Sequence, residues 1–328
     1  MGSHLLYSLA EKGDNIKANY RQLKKLDLVR KVFSDWCKNP DELFNKIEWI
    51  ESDLSHAGSL KDLISGSEHI YHCAATVSYE TNGKNELIKN NTDLTSNIVK
   101  SCLDTGVEKL CHVSSVAAIG ASQKDEMADE SHQWIESDYH NPYSVSKYLS
   151  ELEVWNGIKR GLNAVIVNPS VILGPGYWNS GSSLFFSKIA KGMLFYTNGV
   201  TGYVDVRDVV KTMITLMNGP VKGERFIVSS ENLSYGEFFS MIAESMGVRK
   251  PFIFIPEIFS KPVTGILKVF SQITGKQGLI TPDIIRASYS RVFYSNSKIK
   301  ETTGINFIPI RRSTEEISRI YRTEMPQP

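Results

Sequence analysis

The sequence predicts an α/β protein organised on a doubly wound parallel sheet, with a smaller lobe built mainly from the carboxyl-terminal half. Three observations predict it. Between residues 15 and 167, short apolar or alternating runs follow amphipathic stretches in regular turn, the order of βαβ units. Two of those runs, 109–116 and 164–167, are apolar without alternation, as in strands buried on both faces. A length of 328 residues suits one large sheet with a second, smaller lobe better than several independent units.

The chain begins in a helical pattern over residues 4–11, with Leu5, Leu6 and Leu9 on one side and Gly13 as the stop. No strand pattern precedes it. Residues 15–21 alternate as a strand (Ile16, Ala18, Tyr20), and a charged helix follows to about residue 36. A strand at 47–54, a short helix at 59–64 and an apolar strand at 68–75 continue the alternation. A long helix at 85–105 leads to the strand at 109–116, and a polar, acidic loop at 122–141 leads to a helix at 142–161. The strand at 164–167 ends at Asn168-Pro169, because proline cannot continue a central strand.

The remainder is less regular. Residues 174–199, rich in glycine, serine and aromatics, suggest a loop and helix over a pocket. A helix runs to about residue 218, a short strand occupies 225–228, and Ser234 with Glu237 forms a capping box opening a helix to 246. Residues 251–274 are strongly apolar, but three prolines and the charges Glu257, Lys261 and Lys268 argue against a simple membrane span. Lobe core, lid and membrane-touching surface are the readings open to that tract. Thr281-Pro282-Asp283 begins another helix, and Ser313 with Glu316 caps the last.

Lysine plus arginine number 37 against 36 acids, which gives no electrostatic footprint for nucleic acid. Cys37, Cys73, Cys102 and Cys111 lack the spacing of a zinc site or disulfide framework. A reducing, cytoplasmic setting, a soluble chain and no resident metal are the expectations.

The chemistry concentrates at Tyr143-Ser144-Val145-Ser146-Lys147, near the start of a helix. Four-residue spacing puts the phenol and the ammonium on one face, one turn apart. A nearby cation favours the phenolate, so such a pair can move a proton to or from a substrate oxygen. Tyr20/Lys24 and Tyr294/Lys298 have the same spacing. Only Tyr143/Lys147 follows a buried strand whose carboxyl end carries hydroxyls, Ser114 and Ser115, and ligands of open parallel sheets bind at such ends.

At this point the chain resembles the extended short-chain dehydrogenases/reductases, the NAD-dependent epimerase/dehydratase group with its Rossmann-type sheet. The matching pieces are SDL at 52–54, HCAA at 72–75, NNTDLT at 90–95, HVSSVAAIG at 112–120, YSVSK at 143–147, NPSVILGPG at 168–176 and GYVDVRDVV at 202–210. The resemblance implies a dinucleotide-binding domain over 1–170 and a mainly substrate-binding lobe over 171–328, some segments of which return to the first. It implies that Ser115 hydrogen-bonds the reacting oxygen, with Ser114 as fallback, that Tyr143 exchanges the proton, and that Lys147 lowers the Tyr143 pKa while holding the nicotinamide ribose. Asn91 matches an asparagine that ties the relay together, although packing or capping explains a helical asparagine equally well. Asp53 and Leu54 would meet the adenine end, Ala74 and Ala75 would let the pyrophosphate-ribose approach, and Pro169 and Val171 would lie beside the nicotinamide.

Two departures bear on the cofactor. The family's first strand and most of its glycine-rich turn have no counterpart: Gly2 matches the last glycine, and the sequence-based expectation is a truncated chain with a damaged cofactor site. Arg21 ends the second strand where an acid would bind the ribose of NAD, and an arginine suits the 2′-phosphate of NADP. NADP is therefore expected, with NAD as the alternative. The Arg21 register, the apolar second lobe and the HVSSVAAIG stretch resemble the dihydroflavonol reductase and 3β-hydroxysteroid dehydrogenase branch. Reduction of a ketone or aldehyde on an apolar small molecule, or the reverse oxidation, is the first expectation. A nucleotide-sugar epimerase with tightly bound NAD is the second, weakened by Gly202 where such enzymes tend to carry an arginine. A catalytically impaired cofactor sensor or scaffold is the third. A homodimer paired through the helices at 85–105 and 142–161 is implied by resemblance alone.

Overall fold

A computed structural model of the chain describes residues 1–54, 57–76, 84–120, 126–135, 141–259 and 282–325. Helix α1 (Gly2–Lys12) stops at Gly13, whose φ of 85° glycine adopts without steric cost. There follow β1 (Ile16–Tyr20), α2 (Leu26–Ser34), α3 (Pro40–Phe44), β2 (Ile47–Glu51), α4 (Ala57–Ile64), β3 (His69–His72), α5 (Lys84–Thr105) and β4 (Lys109–Val113). β4 stops short of the apolar run that predicted it: Val116–Ala118 turn as a 3-10 helix, capped where Ser115 Oγ accepts from Ala117 N at 3.2 Å.

Within the expected polar loop, β5 (Met127–Ala128) pairs with a strand far along the chain. Helix α6 (Pro142–Lys159) begins as its sequence dictates: Asn141 Oδ1 accepts from Ser144 N at 2.8 Å, and Pro142 takes a first-turn position that needs no donor. Next come β6 (Ala164–Pro169), β7 (Val171–Leu173), α7 (Ser183–Ala190), β8 (Phe195–Tyr196), β9 (Val200–Asp205), α8 (Val206–Asn218), β10 (Glu224–Val228), β11 (Glu231–Ser234) and α9 (Tyr235–Met246). The Ser234/Glu237 capping box is formed in both directions. The chain continues through β12 (Ile253–Phe254), α10 (Pro282–Tyr289), β13 (Phe293–Tyr294), α11 (Ser297–Thr303) and α12 (Ile310–Glu324). The apolar tract beyond residue 259 and Thr281 lie outside the described residues. No described helix is long and apolar enough to cross a membrane.

Helix α12 corrects one expectation. Ser313 is not its cap: the helix opens at Ile310 behind Pro309, and buried Ser313 Oγ donates to Asp205 Oδ2 at 2.7 Å. Glu316 reaches outward to Arg207 and Arg312 instead.

The four-stranded sheet has the order β10-β6-β4-β3, all parallel, and β1 and β2 form a separate parallel pair. Alternation within β4 and β6 explains their unbroken apolar runs. Leu110, Ala164 and Ile166 face Leu60 of α4, Ile98 of α5 and Val154 of α6, while Cys111, Val113, Val165 and Val167 face Val209 and Met213 of α8. Each buried aliphatic side chain contributes about 1.5–3 kcal/mol against exposure. A second core under β7, β9 and β11 joins Leu173, Phe186, Phe238, Ile242 and Ile317.

Helices α5 and α6 approach closely at Gly157, where a Cβ would lie 2.5 Å from Val99 Cγ1 and 3.1 Å from Leu162 Cδ2. Gly157→Ala should therefore lower the Tm. Overpacking costs about 1–3 kcal/mol, against about 1 kcal/mol regained from alanine's helix preference. An unchanged or raised Tm would show that the two helices can separate freely.

Among the described residues β1 and β3 each have one strand neighbour, β2 and β4 respectively, and do not pair with one another. A cavity of about 970 Å³, lined by residues of both, lies between them.

Candidate active site

The carboxyl end of β4 runs into Ser114 and Ser115, and α6 lies against it. Lys147 Nζ, on a side chain only 6% exposed, donates to Val113 O at 3.0 Å, the last carbonyl of β4. Burial pushes its ammonium down from the usual 10.5 to about 8, with the Cys73 thiol and the Glu151 carboxylate opposing that shift. Tyr143 is half-buried one turn earlier on the same helix. The Ser115 side chain is fixed at the Ala117 amide, and Asn168 Nδ2 donates to Ser115 O at 3.0 Å. Ser114 Oγ is buried and has no hydrogen-bond partner among the described residues.

Asn91, buried within α5, anchors this arrangement from the other side. Its Oδ1 accepts from Thr76 N at 2.8 Å and its Nδ2 donates to Thr76 O at 2.9 Å, so its amide grips the peptide that follows β3. Nδ2 also donates to Ser146 Oγ at 3.2 Å, and Ser146 Oγ donates to Tyr143 O at 2.8 Å. Asn91 thus ties the segment after β3 to the turn of α6 that carries Tyr143. Asn91→Ala would strand a buried amide and carbonyl, so stability should fall by about 1–3 kcal/mol. Once folded, the variant should turn over at least about tenfold more slowly, since positioning of the relay is lost. Thermal melts with kcat measured well below the Tm check both effects, and wild-type kcat would remove Asn91 from the relay.

Sequence reasoning passed over three supports. Thr95 Oγ1 donates to Asn91 O at 3.0 Å, which leaves its lone pair for His72, 3.0 Å away; His72 therefore carries its proton on Nε2. Burial pushes His72 down to about 3, so the ring is neutral and holds that tautomer. Glu151, one turn beyond Lys147 and 2% exposed, accepts from Asn168 Nδ2 at 2.8 Å and from Arg225 at 3.0 Å. The four-residue rhythm of Tyr143, Lys147 and Glu151 was a signal in the sequence, but a helical glutamate ordinarily reads as solvated.

Of the other expected cofactor residues, Arg21, Asp53, Leu54, Ala74 and Ala75 follow strand ends, while Pro169 and Val171 lie within strands. Arg21 is the first residue after β1 and is exposed. Asp53, exposed, and Leu54 follow β2; Ser59 Oγ donates to Asp53 O at 3.0 Å, and Leu54 packs on the cluster around Leu60. Exposed Ala74 and half-buried Ala75 follow β3, buried Pro169 ends β6, and half-buried Val171 opens β7. Gly2 sits in the first turn of α1, where a Cβ would come within 3.9 Å of Cys73 Cβ. Small side chains after β3, a cation after β1 and the orphaned hydroxyl of Ser114 after β4 fit a dinucleotide laid across the strand ends. Among the described residues no cluster of histidine, cysteine and carboxylate side chains could hold a metal, and all four cysteines are free thiols.

Comparison with known proteins adds three findings. The profile described as "NAD dependent epimerase/dehydratase family" matches residues 1–229. Sterol demethylase protein B of Methylococcus capsulatus is 29% identical over 262 residues, covering 78% of this chain and 74% of that protein, and the dihydroflavonol 4-reductase of Gerbera hybrida is 25% identical over 283 residues, covering 79% and 72%. The crystal structure of gox2253 superposes with a TM-score of 0.81 at 24% identity, covering 100% of this chain and 96% of that one, a likeness of fold.

Proposed function

The chain belongs to the NAD dependent epimerase/dehydratase family, and from that premise we propose that it is a NADP-linked oxidoreductase that reduces a ketone or aldehyde on an apolar small molecule or oxidises the corresponding alcohol. The observation that carries the reading is that Lys147 Nζ, one turn along α6 from Tyr143, donates to Val113 O at 3.0 Å, two residues before Ser115. Residues 1–170 would hold the cofactor and 171–328 would mainly shape the substrate site.

The chemistry the cofactor supplies when bound is hydride transfer. The chain's own residues do the rest. The Ser115 oxygen accepts from the Ala117 amide, which leaves its proton to donate to the substrate carbonyl oxygen and fix its direction. Tyr143 gives the phenolic proton to that oxygen as negative charge grows on it. The Lys147 cation stabilises the resulting phenolate and would bond the nicotinamide ribose, and Asn91 with Ser146 holds the helix turn in place. Arg21 would take the 2′-phosphate, with Asp53 and Leu54 at the adenine, Ala74 and Ala75 along the pyrophosphate-ribose, and Pro169 and Val171 beside the nicotinamide.

Gly202 supports a weakly charged substrate. A Cβ there would lie 2.4 Å from Ser229 Oγ and 2.9 Å from Ser170 Cβ, so the position has no room for the diphosphate-binding arginine expected of nucleotide-sugar enzymes. The relatives named for sterol demethylation and dihydroflavonol reduction support the same substrate class.

Calorimetric titration with NADPH and NADH tests the cofactor reading. NADPH should bind at least about tenfold more tightly, a difference of about 1.4 kcal/mol, and Arg21→Glu should erase or reverse that preference. Tighter NADH binding by the unaltered chain would overturn the assignment to Arg21.

A further inference from the structure

Glu151 lies one turn beyond Lys147 on α6 and is 2% exposed. Its Oε1 accepts from Arg225 of β10 at 3.0 Å and from Trp155 Nε1 at 3.3 Å, and its Oε2 accepts from Asn168 Nδ2 at 2.8 Å. A staple between α6 and the edge strand β10 would need only the Arg225 pair, and taking both charges out of water makes such a pair a weak source of stability. The second oxygen reaches elsewhere. Asn168, fully buried on β6, directs its two amide hydrogens to Glu151 Oε2 and, at 3.0 Å, to Ser115 O. Two hydrogen bonds thus run from the buried carboxylate to the backbone of Ser115.

We propose that Glu151 is a positioning residue of the proton relay: through Asn168 it fixes the Ser115 backbone, and its charge, one turn from Lys147, holds that lysine in the ammonium form. This role rests on the reductase reading. Glu151 touches neither substrate nor cofactor and acts through the two residues it supports.

The other groups that face Lys147 are the Cys73 thiol after β3, His72 of β3, His112 of β4 and Tyr143 on α6. Burial pushes Cys73 up to about 11, so the thiol keeps its proton while Lys147 titrates. Burial also pushes His72 down to about 3 and His112 well below its ordinary value, so both rings are neutral. In the reductase reading Tyr143 still holds its proton before transfer. Among the described residues this leaves Glu151 as the fixed negative charge facing Lys147. Around Glu151 itself, Arg225 is the ion-pair partner, and Glu130, Lys159 and the paired Glu224 and Lys298 line the cleft that Glu151 and Arg225 share. A negative charge beside the ammonium opposes the burial that favours neutral lysine, so without it the relay loses its cation at lower pH.

Glu151→Gln keeps the shape and removes the charge. Because it leaves Arg225 without its ion-pair partner, the double variant Glu151→Gln/Arg225→Gln is read beside it, and a thermal melt establishes that each is folded. Carbon-13 NMR of the lysine Cε atoms in the full chain follows Lys147, assigned by the signal that Lys147→Met removes, and needs no substrate. Both glutamine variants should titrate Lys147 lower than the parent by about half a pH unit or more, and Glu151→Asp, which keeps the charge, should bring the titration back. With NADPH and an apolar carbonyl, the alkaline limb of kcat should move down with it. At about pH 6, where parent and variants all hold the ammonium, kcat should still fall at least about tenfold, because Ser115 has lost its support, while NADPH affinity is unchanged. Folded variants that keep the parent's Lys147 titration and alkaline limb would make Glu151 a structural staple and overturn the role. Parent-like kcat at that acidic pH would overturn its hold on Ser115. A lowered Lys147 titration in a chain that turns over no carbonyl would uphold the hold of Glu151 on the ammonium and count against the reductase reading alone.

Discussion

Tyr143→Phe is expected to lower kcat about 100- to 10,000-fold, the range that a positioned proton donor contributes. The ring stays, so the first turn of α6 keeps its packing, and the cap at Asn141 and the Asn91–Ser146 tie do not involve the phenol oxygen. Affinity for NADPH should be unchanged, because the phenol acts on the substrate oxygen. Steady-state kinetics beside a cofactor titration separates the two effects. Activity within tenfold of the parent would remove Tyr143 from the chemistry, and loss of cofactor binding would make its role structural.

Lys147→Met should be at least as damaging to catalysis and should show the opposite sign in stability. The buried ammonium has a pKa of about 8 when folded against 10.5 in its ordinary state. Between those values the unfolded chain holds more protons than the folded one, so this group makes folding more favourable as pH rises from about 8 to 10.5. Below pH 8 the cost of burying the charge is present in full, on the order of 3 kcal/mol. Methionine removes that cost and leaves Val113 O without its donor, a loss of about 1–3 kcal/mol. At pH 7 the variant should be as stable as the parent or more so, and should lack the parent's gain between pH 8 and 10.5. Denaturant melts at pH 7 and pH 10 read both. A variant much less stable at pH 7 would mean that the lysine is held for structure rather than for catalysis. In the parent, turnover should decline above about pH 8 as the ammonium loses its proton.

Much of this arrangement is legible in the residues because its causes are local. The four-residue spacing of Tyr143 and Lys147, the helix start at Pro142 and the Ser234/Glu237 box each act within one turn, and each forms as read. The unbroken apolar runs of β4 and β6 report burial on both faces directly. What the sequence hid depends on distant partners. β5 exists because Met127 and Ala128 meet Phe293 and Tyr294, and nothing near residue 127 records that. Glu151 is buried because Arg225 and Asn168 reach it from other strands, and Ser313 failed as a cap because Asp205 claims its hydroxyl. Asn91 read equally as packing or relay, and the structure shows it gripping Thr76 and Ser146.

The central claim is net hydride transfer to an apolar carbonyl through Tyr143, and isotope tracing tests it most directly. NADPH deuterated at C4 would be incubated with the full chain and a panel of apolar ketones and aldehydes, with NADPH binding verified by calorimetry in the same buffer. The account predicts deuterium on the new carbinol carbon, one oxidised cofactor per product, and loss of both with Tyr143→Phe. Interconversion of UDP-sugars with no net cofactor oxidation, or bound NADPH with no transfer to any carbonyl, would contradict it.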